Sequence, residues 1–344
     1  MRGAVFLGNR KVELRTFPDP APGPGEVVIA MKASGMCGSD LKFYRSPPGA
    51  AQAALGLGDL KEPFIAGHEP CGVVAARGAG VAEREAPIGQ RVMCHHYAGC
   101  GVCGHCRVGW SQLCREGITV YGVTAHGGHA DYLKVPARTL VPLPEELSFA
   151  EGAAVACGTG TAYAALRRMH LAGGDTLAVF GQGPVGLSAT LIGAAMGARV
   201  IAVETSPERL ALAREFGADV AIDSSKTILE LTKGKGVDLA IDCTGVATAR
   251  LEAVRAAKTW GTVCFVGEGG DVTLDVSRDM LRKQLTLIGS WTFSAMGQAE
   301  CARYIADNGI GLERIFSHRW KLEQADAAYR SFDTQTTGKG VFLI

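Results

Sequence analysis

Over residues 1 to about 150 the apolar positions come in short, β-branched runs separated by glycine, proline and charged residues. GEVVIAMKAS, CGVVAARG, QRVMC and ADYLKVP each predict a short strand closed by a turn, so this half is expected to be mainly β. SPPGAAQAALGLGDLKEP, residues 46–63, has no clear period and is expected to be a loop. Near residue 152 the rhythm changes. GAAVACGTGTAYAALRRM has helical spacing; TLAVF is then a buried strand, PVGLSATLIGAAMG a helix and RVIAVE a second strand. SPERLALAREFG reads as a helix capped by Ser206 with Pro207 at its first position. DVAID, VDLAIDCTG, GTVCFVG and LTLIGSW continue as strands with helical segments between them. Alternating βαβ units imply a doubly wound parallel sheet. After about residue 291 the pattern is helical, then returns to the apolar strand GVFLI.

Composition narrows the class. A length of 344 residues suggests two domains, and 35 Lys+Arg against 34 Asp+Glu leave a net charge of +1. No basic excess calls for nucleic acid. The N-terminus is a poor signal peptide, and glycines and Pro184 interrupt the long apolar region at 176–203. A cytoplasmic protein without membrane contact is expected, its eleven cysteines being thiols or metal ligands rather than disulfides.

CGVCGHCRVGWSQLC places Cys100, Cys103, Cys106 and Cys114 at C-x2-C-x2-C-x7-C. Four thiolates converging at about 2.3 Å complete a tetrahedral zinc site and leave no open position, so such a site is structural. An iron–sulfur cluster, or four unrelated thiols, is the rival. A nucleic-acid ribbon fits poorly without basic residues among aromatics. Cys37 and Asp40 in CGSD, His68 and Glu69 in GHEP, and Cys157 in CGTGTAY form a second candidate set, although spacing alone does not bring them together. One His, two Cys and a water make an open, catalytic zinc site.

GQGPVG, comprising Gly181, Gly183, Pro184, Val185 and Gly186 around a glutamine, follows one strand and opens a helix. In that context Gly181 permits the turn, Gly183 the approach of a pyrophosphate and Gly186 close helix–strand packing. Glu204 ends the next strand, where a carboxylate accepts from both adenosine ribose hydroxyls and repels a 2′-phosphate. NAD is therefore favoured over NADP, with Arg209 one helical turn on as a possible ribose contact.

Taken together, CGSD, GHE, the four-cysteine lobe, CGTGTAY and GQGPVG resemble the zinc-dependent alcohol and polyol dehydrogenases of the medium-chain dehydrogenase/reductase superfamily, over essentially the whole chain. The resemblance implies a GroES-like catalytic domain at 1–152, completed by 292–344, around a Rossmann domain at 153–291. It implies two zincs per chain, a structural one on the lobe and a catalytic one on Cys37, His68 and Cys157. Glu69 would sit close to the catalytic zinc. Asp40 would fix the His68 tautomer, and Lys339 would reach the pyrophosphate. Glu151 is the alternative third ligand in polyol relatives. Hydride would leave a zinc-bound alkoxide, with Ser39 as the first proton-relay group. Lys42 stands where many relatives have a histidine, and serves either the relay or phosphate binding. Expected walls of the substrate pocket are the 46–63 loop, Tyr97, residues near Tyr121 and the stretch SWTFSA at 290–295, in which Trp291 and Phe293 are candidate contacts although aromatics at a strand end are more often core.

The expected reaction is oxidation of a secondary alcohol or polyol to a ketone. L-Threonine 3-dehydrogenase-like chemistry is the alternative; a zinc-free quinone or enoyl reductase has no use for the second ligand set. Relatives imply a homodimer or homotetramer paired through strands near GTVCFVG and LTLIGSW.

Overall fold

The computed structural model describes residues 1–54, 56, 64–336 and 338–344. The β-rich half is built on the ten-residue strand Glu26–Gly35. Its first half pairs with Tyr132–Pro136 and its whole length with Pro70–Arg77, which leads on to Arg91–Cys94 and Leu140–Pro142. At its other end Ala33–Gly35 pairs with the last strand, Lys339–Leu343, and that strand with Phe316–Trp320. The chain's end thus completes the sheet its beginning starts. The strand Phe316–Trp320, whose three central residues are all polar, is not apparent in the sequence pattern.

The second sheet has six parallel strands in the order Val220–Ile222, Arg199–Val203, Thr176–Phe180, Val237–Asp242, Ala257–Phe265, Thr286–Gly289. Leu177, Ala178, Val179 and Phe180 are all fully buried, because helices cover both faces; hence the unbroken apolar run. GTVCF lies inside this sheet, and of the two strands expected to pair subunits only Thr286–Gly289 is an edge.

Two local departures matter for the site. GAAVACGTGTAYAALRRM is not one helix but two, Phe149–Val155 and Gly158–Arg168, broken at Cys157 with φ −148° and ψ −83°. The expected division at 152/153 falls inside the first of them. Within the 46–63 stretch, Ala50–Ala54 is helical, whereas residues 55 and 57–63 lie outside the described residues. No helix among the described residues is long and apolar enough to cross a membrane.

Phe293 is fully buried where the two halves meet. A Cβ on Gly160 would fall 2.8 Å from its ring, so helix Gly158–Arg168 packs directly on it. It is a core residue, not a wall of the substrate pocket. Phe293→Ala is expected to lower stability by about 3–5 kcal/mol in urea unfolding, as a buried ring replaced by a cavity does; a loss under about 1 kcal/mol would contradict the packing.

Candidate active site

The four lobe cysteines lie with their sulfurs all within 4.8 Å of one another. Cys103 and Cys114 Sγ are 3.9 Å apart, close to the ~3.8 Å that two sulfurs at tetrahedral angles around zinc require. Backbone amides of Val102 and Cys103 donate to Cys100 Sγ, and that of Cys100 to Cys114 Sγ. Amide donors from Cys106 and Arg115 pull Cys103 down to about 6, so its thiolate forms near neutrality. A Cβ on Gly99 would lie 2.5 Å from Cys106 Sγ, which explains the glycine before the first cysteine.

A second group converges at the junction of the two halves. Cys37, His68, Glu69 and Cys157 are all buried and place their ligand atoms within 4.8 Å of one another. Cys37 and Cys157 Sγ are 3.9 Å apart, again the spacing of two zinc thiolates. Cys157 reaches the group because the helix breaks there. Glu151 does not: it is the third residue of a capping box with Ser148, its Oε2 accepting from Ser148 N and its own amide donating to Ser148 Oγ. Asp40 Oδ1 lies 2.9 Å from His68 Nδ1, which leaves Nε2 for a metal. Ser39 Oγ is 3.2 Å from that Nε2.

The electrostatics suit a cation. Cys157 as hydrogen-bond donor, against burial and with help from His68, holds Cys37 well below the usual thiol range, while Cys157 itself is pushed up. The pair gives up one proton readily and keeps the second until a cation replaces it. Burial opposes charge on His68, but Asp40 and Cys37 raise its pKa well above normal. Burial pushes Glu69 up to about 7 against the pull of Lys339.

Lys339 is not a surface residue. It is fully buried, its Nζ 2.5 Å from Glu69 Oε2 and 3.0 Å from the Met36 carbonyl. A Cβ on Gly158 would lie 3.8 Å from both Glu69 Oε1 and Lys339 Nζ and 3.9 Å from Pro184, so the ion pair and the glycine-rich turn both border Gly158. Lys42 stands apart: its Nζ donates to Glu268 of the other half at 3.0 Å, and both side chains are largely exposed.

The glycine-rich turn has the expected geometry. Gly181 has φ +84°, and a Cβ on Gly186 would fall 1.7 Å from the Gly181 carbonyl oxygen. A Cβ on Gly183 would meet nothing within 4 Å, leaving open space over the first turn of helix Pro184–Ala195. Glu204 Oε2 accepts from Gln182 N in this turn at 2.8 Å, and Arg209 Nη1 stands 3.9 Å from the same oxygen. An acid fixed at the strand end beside a glycine turn open at Gly183 fits a dinucleotide.

Sequence reasoning missed His95, His96 and Gln112. His96 Nδ1 is 3.1 Å from the Ala156 carbonyl, which only accepts, so the proton sits on Nδ1 and Nε2 is an acceptor. Its ring lies 5.1 Å from that of His68 and 4.2 Å from that of Tyr97, which in turn meets Trp291 at 5.7 Å. Burial lowers His95 to about 4 and His96 well below the usual value, so both are neutral at physiological pH. Gln112, in the lobe, donates to Thr292 Oγ1 at 2.9 Å and the Phe293 carbonyl at 2.8 Å. Thr292 has φ +54°, unusual for a β-branched residue, and this clasp holds it. The doublet His-His before the first lobe cysteine was the only available signal.

Residues 23–145 match the alcohol dehydrogenase GroES-like domain and residues 184–307 the zinc-binding dehydrogenase family. The uncharacterized zinc-type alcohol dehydrogenase-like protein YphC of Escherichia coli (strain K12) is 40% identical over 348 residues, covering 99% of this chain and 98% of its own. The chain belongs to the zinc-binding medium-chain dehydrogenases/reductases. Among solved structures, alcohol dehydrogenase TADH from Thermus sp. ATN1 superposes with a TM-score of 0.88 at 28% identity over 100% of this chain and 99% of that one. The alcohol dehydrogenase rspB from E. coli CFT073, complexed with NADH, gives 0.86 at 26% identity over 100% and 99%. The protein is thus a zinc-type, alcohol dehydrogenase-like oxidoreductase.

The two glycines predict different effects on stability in this dehydrogenase. Gly183→Val is expected to leave the unfolding midpoint unchanged and weaken NADH binding about tenfold or more, read by nicotinamide fluorescence. Gly186→Ala is expected to lower the midpoint as well, because its methyl meets a backbone oxygen. Full NADH affinity in Gly183→Val would contradict the placement of the phosphates.

Proposed function

We propose that this dehydrogenase oxidises a secondary alcohol or polyol to the ketone with NAD as hydride acceptor, using two zincs per chain, a structural one on the lobe cysteines and a catalytic one on Cys37, His68 and Cys157. The observation that carries the proposal is the buried Cys37–His68–Glu69–Cys157 quartet. Zinc, when bound, acts as a Lewis acid that lowers the pKa of a coordinated hydroxyl.

The chain's own residues do the rest. Ser39, beside the metal-facing nitrogen of His68, takes the proton of the substrate hydroxyl and passes it toward the nicotinamide ribose. Lys339 neutralises Glu69 and lies toward the pyrophosphate. Glu204 receives the adenosine ribose and disfavours a 2′-phosphate. Lys42, committed to Glu268 at the mouth of the cleft, ties the two halves together, and the proton leaves without it. His95, His96 and Tyr97 give the pocket a neutral, hydrogen-bonding wall beside the metal. The sequence carries no cluster of arginines to mark an acidic substrate, and we favour polyols over hydroxy amino acids. The edge strand Thr286–Gly289 offers a pairing surface for a second subunit.

The test is a screen of secondary alcohols, polyols and L-threonine with NAD and NADP, following reduced cofactor. NADH formation from alcohols or polyols, with NAD preferred, is expected. Turnover of L-threonine alone, or reduction of quinones and enones independent of zinc, would overturn the proposal. Cys157→Ala is expected to lower zinc from two ions per chain to one and abolish turnover by about 10³-fold or more, read by metal analysis and initial rates; two tightly held zincs in that variant would remove Cys157 from the site.

A further inference from the structure

Behind His68 runs a line of buried polar side chains that hydride transfer itself does not employ. Asp40 Oδ1 faces His68 Nδ1 at 2.9 Å. Asp40 Oδ2 accepts from Cys37 N at 2.8 Å and from the Tyr329 hydroxyl at 3.1 Å. The Tyr329 oxygen lies 2.7 Å from His129 Nε2, and His129 Nδ1 lies 2.7 Å from Ser34 Oγ. Ser34, Asp40, His129 and Tyr329 are at most 1% exposed. Tyr329 and Asp40 stand 289 residues apart in the chain.

The hydrogens of this line have one consistent arrangement. A carboxylate only accepts, so Tyr329 gives Asp40 its single hydrogen. The tyrosine oxygen must then accept from His129 Nε2–H. That leaves His129 Nδ1 as an acceptor, met by the Ser34 hydroxyl. Each donor points toward Asp40, and polarisation of one bond strengthens the next. Burial holds His129 near pKa 4, so it stays neutral with one proton to place.

Packing holds the line in place. A Cβ on Gly67, the residue before His68, would lie 2.3 Å from His129 Nδ1, so the imidazole fills the space the glycine leaves. Phe6 meets the Tyr329 ring edge-on at 4.8 Å and Phe342 meets His129 at 4.6 Å. In such apolar walls an unmet donor has no substitute partner.

We propose that Tyr329, His129 and Ser34 are positioning residues for the catalytic metal, fixing the Asp40 carboxylate and through it the tautomer and ring orientation of His68. The proposal rests on the catalytic-zinc reading given above. With Oδ2 occupied by two donors, Oδ1 is turned to His68. Remove one donor and the carboxylate is free to rotate, and His68 no longer presents Nε2 at a fixed angle.

The test compares zinc transfer from the intact holoprotein to a chromophoric chelator, and the visible spectrum after cobalt replaces the catalytic zinc, in four proteins. These are the wild type, Tyr329→Phe, His129→Phe and His129→Gln. Tyr329→Phe keeps the ring and deletes only the hydroxyl. His129→Gln supplies an amide that donates to Tyr329 and a carbonyl that accepts from Ser34. We expect one of the two zincs to leave about tenfold faster in Tyr329→Phe and His129→Phe, with an altered cobalt band. His129→Gln should stay close to wild type, and the lobe zinc should leave at the same rate in all four. Wild-type release and spectrum in Tyr329→Phe and His129→Phe would overturn the proposal. So would equal acceleration of both zincs, which marks general loosening, or failure of His129→Gln to rescue. A wild type that holds only the lobe zinc would instead overturn the catalytic-zinc reading.

Discussion

Two thiols, an imidazole and a carboxylate are buried within one small volume, and that burial constrains everything around it. Taking such groups out of water is unfavourable unless opposite charge meets them. Lys339 answers one carboxylate. The thiol pair keeps a proton it would give up to a metal cation. The donor set of sulfur and imidazole is the one zinc prefers, and the sulfur spacing agrees with tetrahedral bonding. The site therefore has the donor set, spacing and burial to receive a cation.

The rest of the molecule serves this junction. The strand Glu26–Gly35 leads directly to Cys37, and its partner Pro70–Arg77 follows directly on Glu69. A Cβ on Gly35 would fall 1.9 Å from Glu69 Oε2, so the two ligand-bearing turns touch across that glycine. Cys157 comes from the start of the helix that leads into the dinucleotide half. The lobe, remote in sequence from these ligands, clasps Thr292 through Gln112 and so shapes the turn carrying Trp291 beside Tyr97.

Much of this was legible in the sequence. The four-cysteine spacing, CGSD, GHE and GQGPVG each carry a local geometric requirement; the structure brings the ligand atoms of each group within 4.8 Å of one another and gives Gly181 its positive φ. The strands and the doubly wound sheet follow from apolar runs bounded by glycine and proline. Cys157 was favoured over Glu151 as third ligand on register alone, because helical spacing does not reveal that one helix breaks at Cys157 and that Ser148 claims Glu151. The resemblance sends Lys339 to the pyrophosphate but does not show its pairing with Glu69, which lies far away in the chain. The line from Ser34 to Tyr329 was invisible for the same reason: tyrosine, histidine and serine are ordinary residues until the distant segments carrying His129 and Tyr329 fold against Asp40. His96 gains its meaning only from the Ala156 carbonyl that fixes its proton.

The most direct measurement is a crystal structure of the zinc-loaded protein with diffraction collected on both sides of the zinc absorption edge. Two anomalous peaks are expected per chain, one within about 2.3 Å of the sulfurs of Cys37 and Cys157 and beside His68 Nε2, the other amid Cys100, Cys103, Cys106 and Cys114. A catalytically active, zinc-replete crystal with no peak between Cys37, His68 and Cys157 would contradict the account.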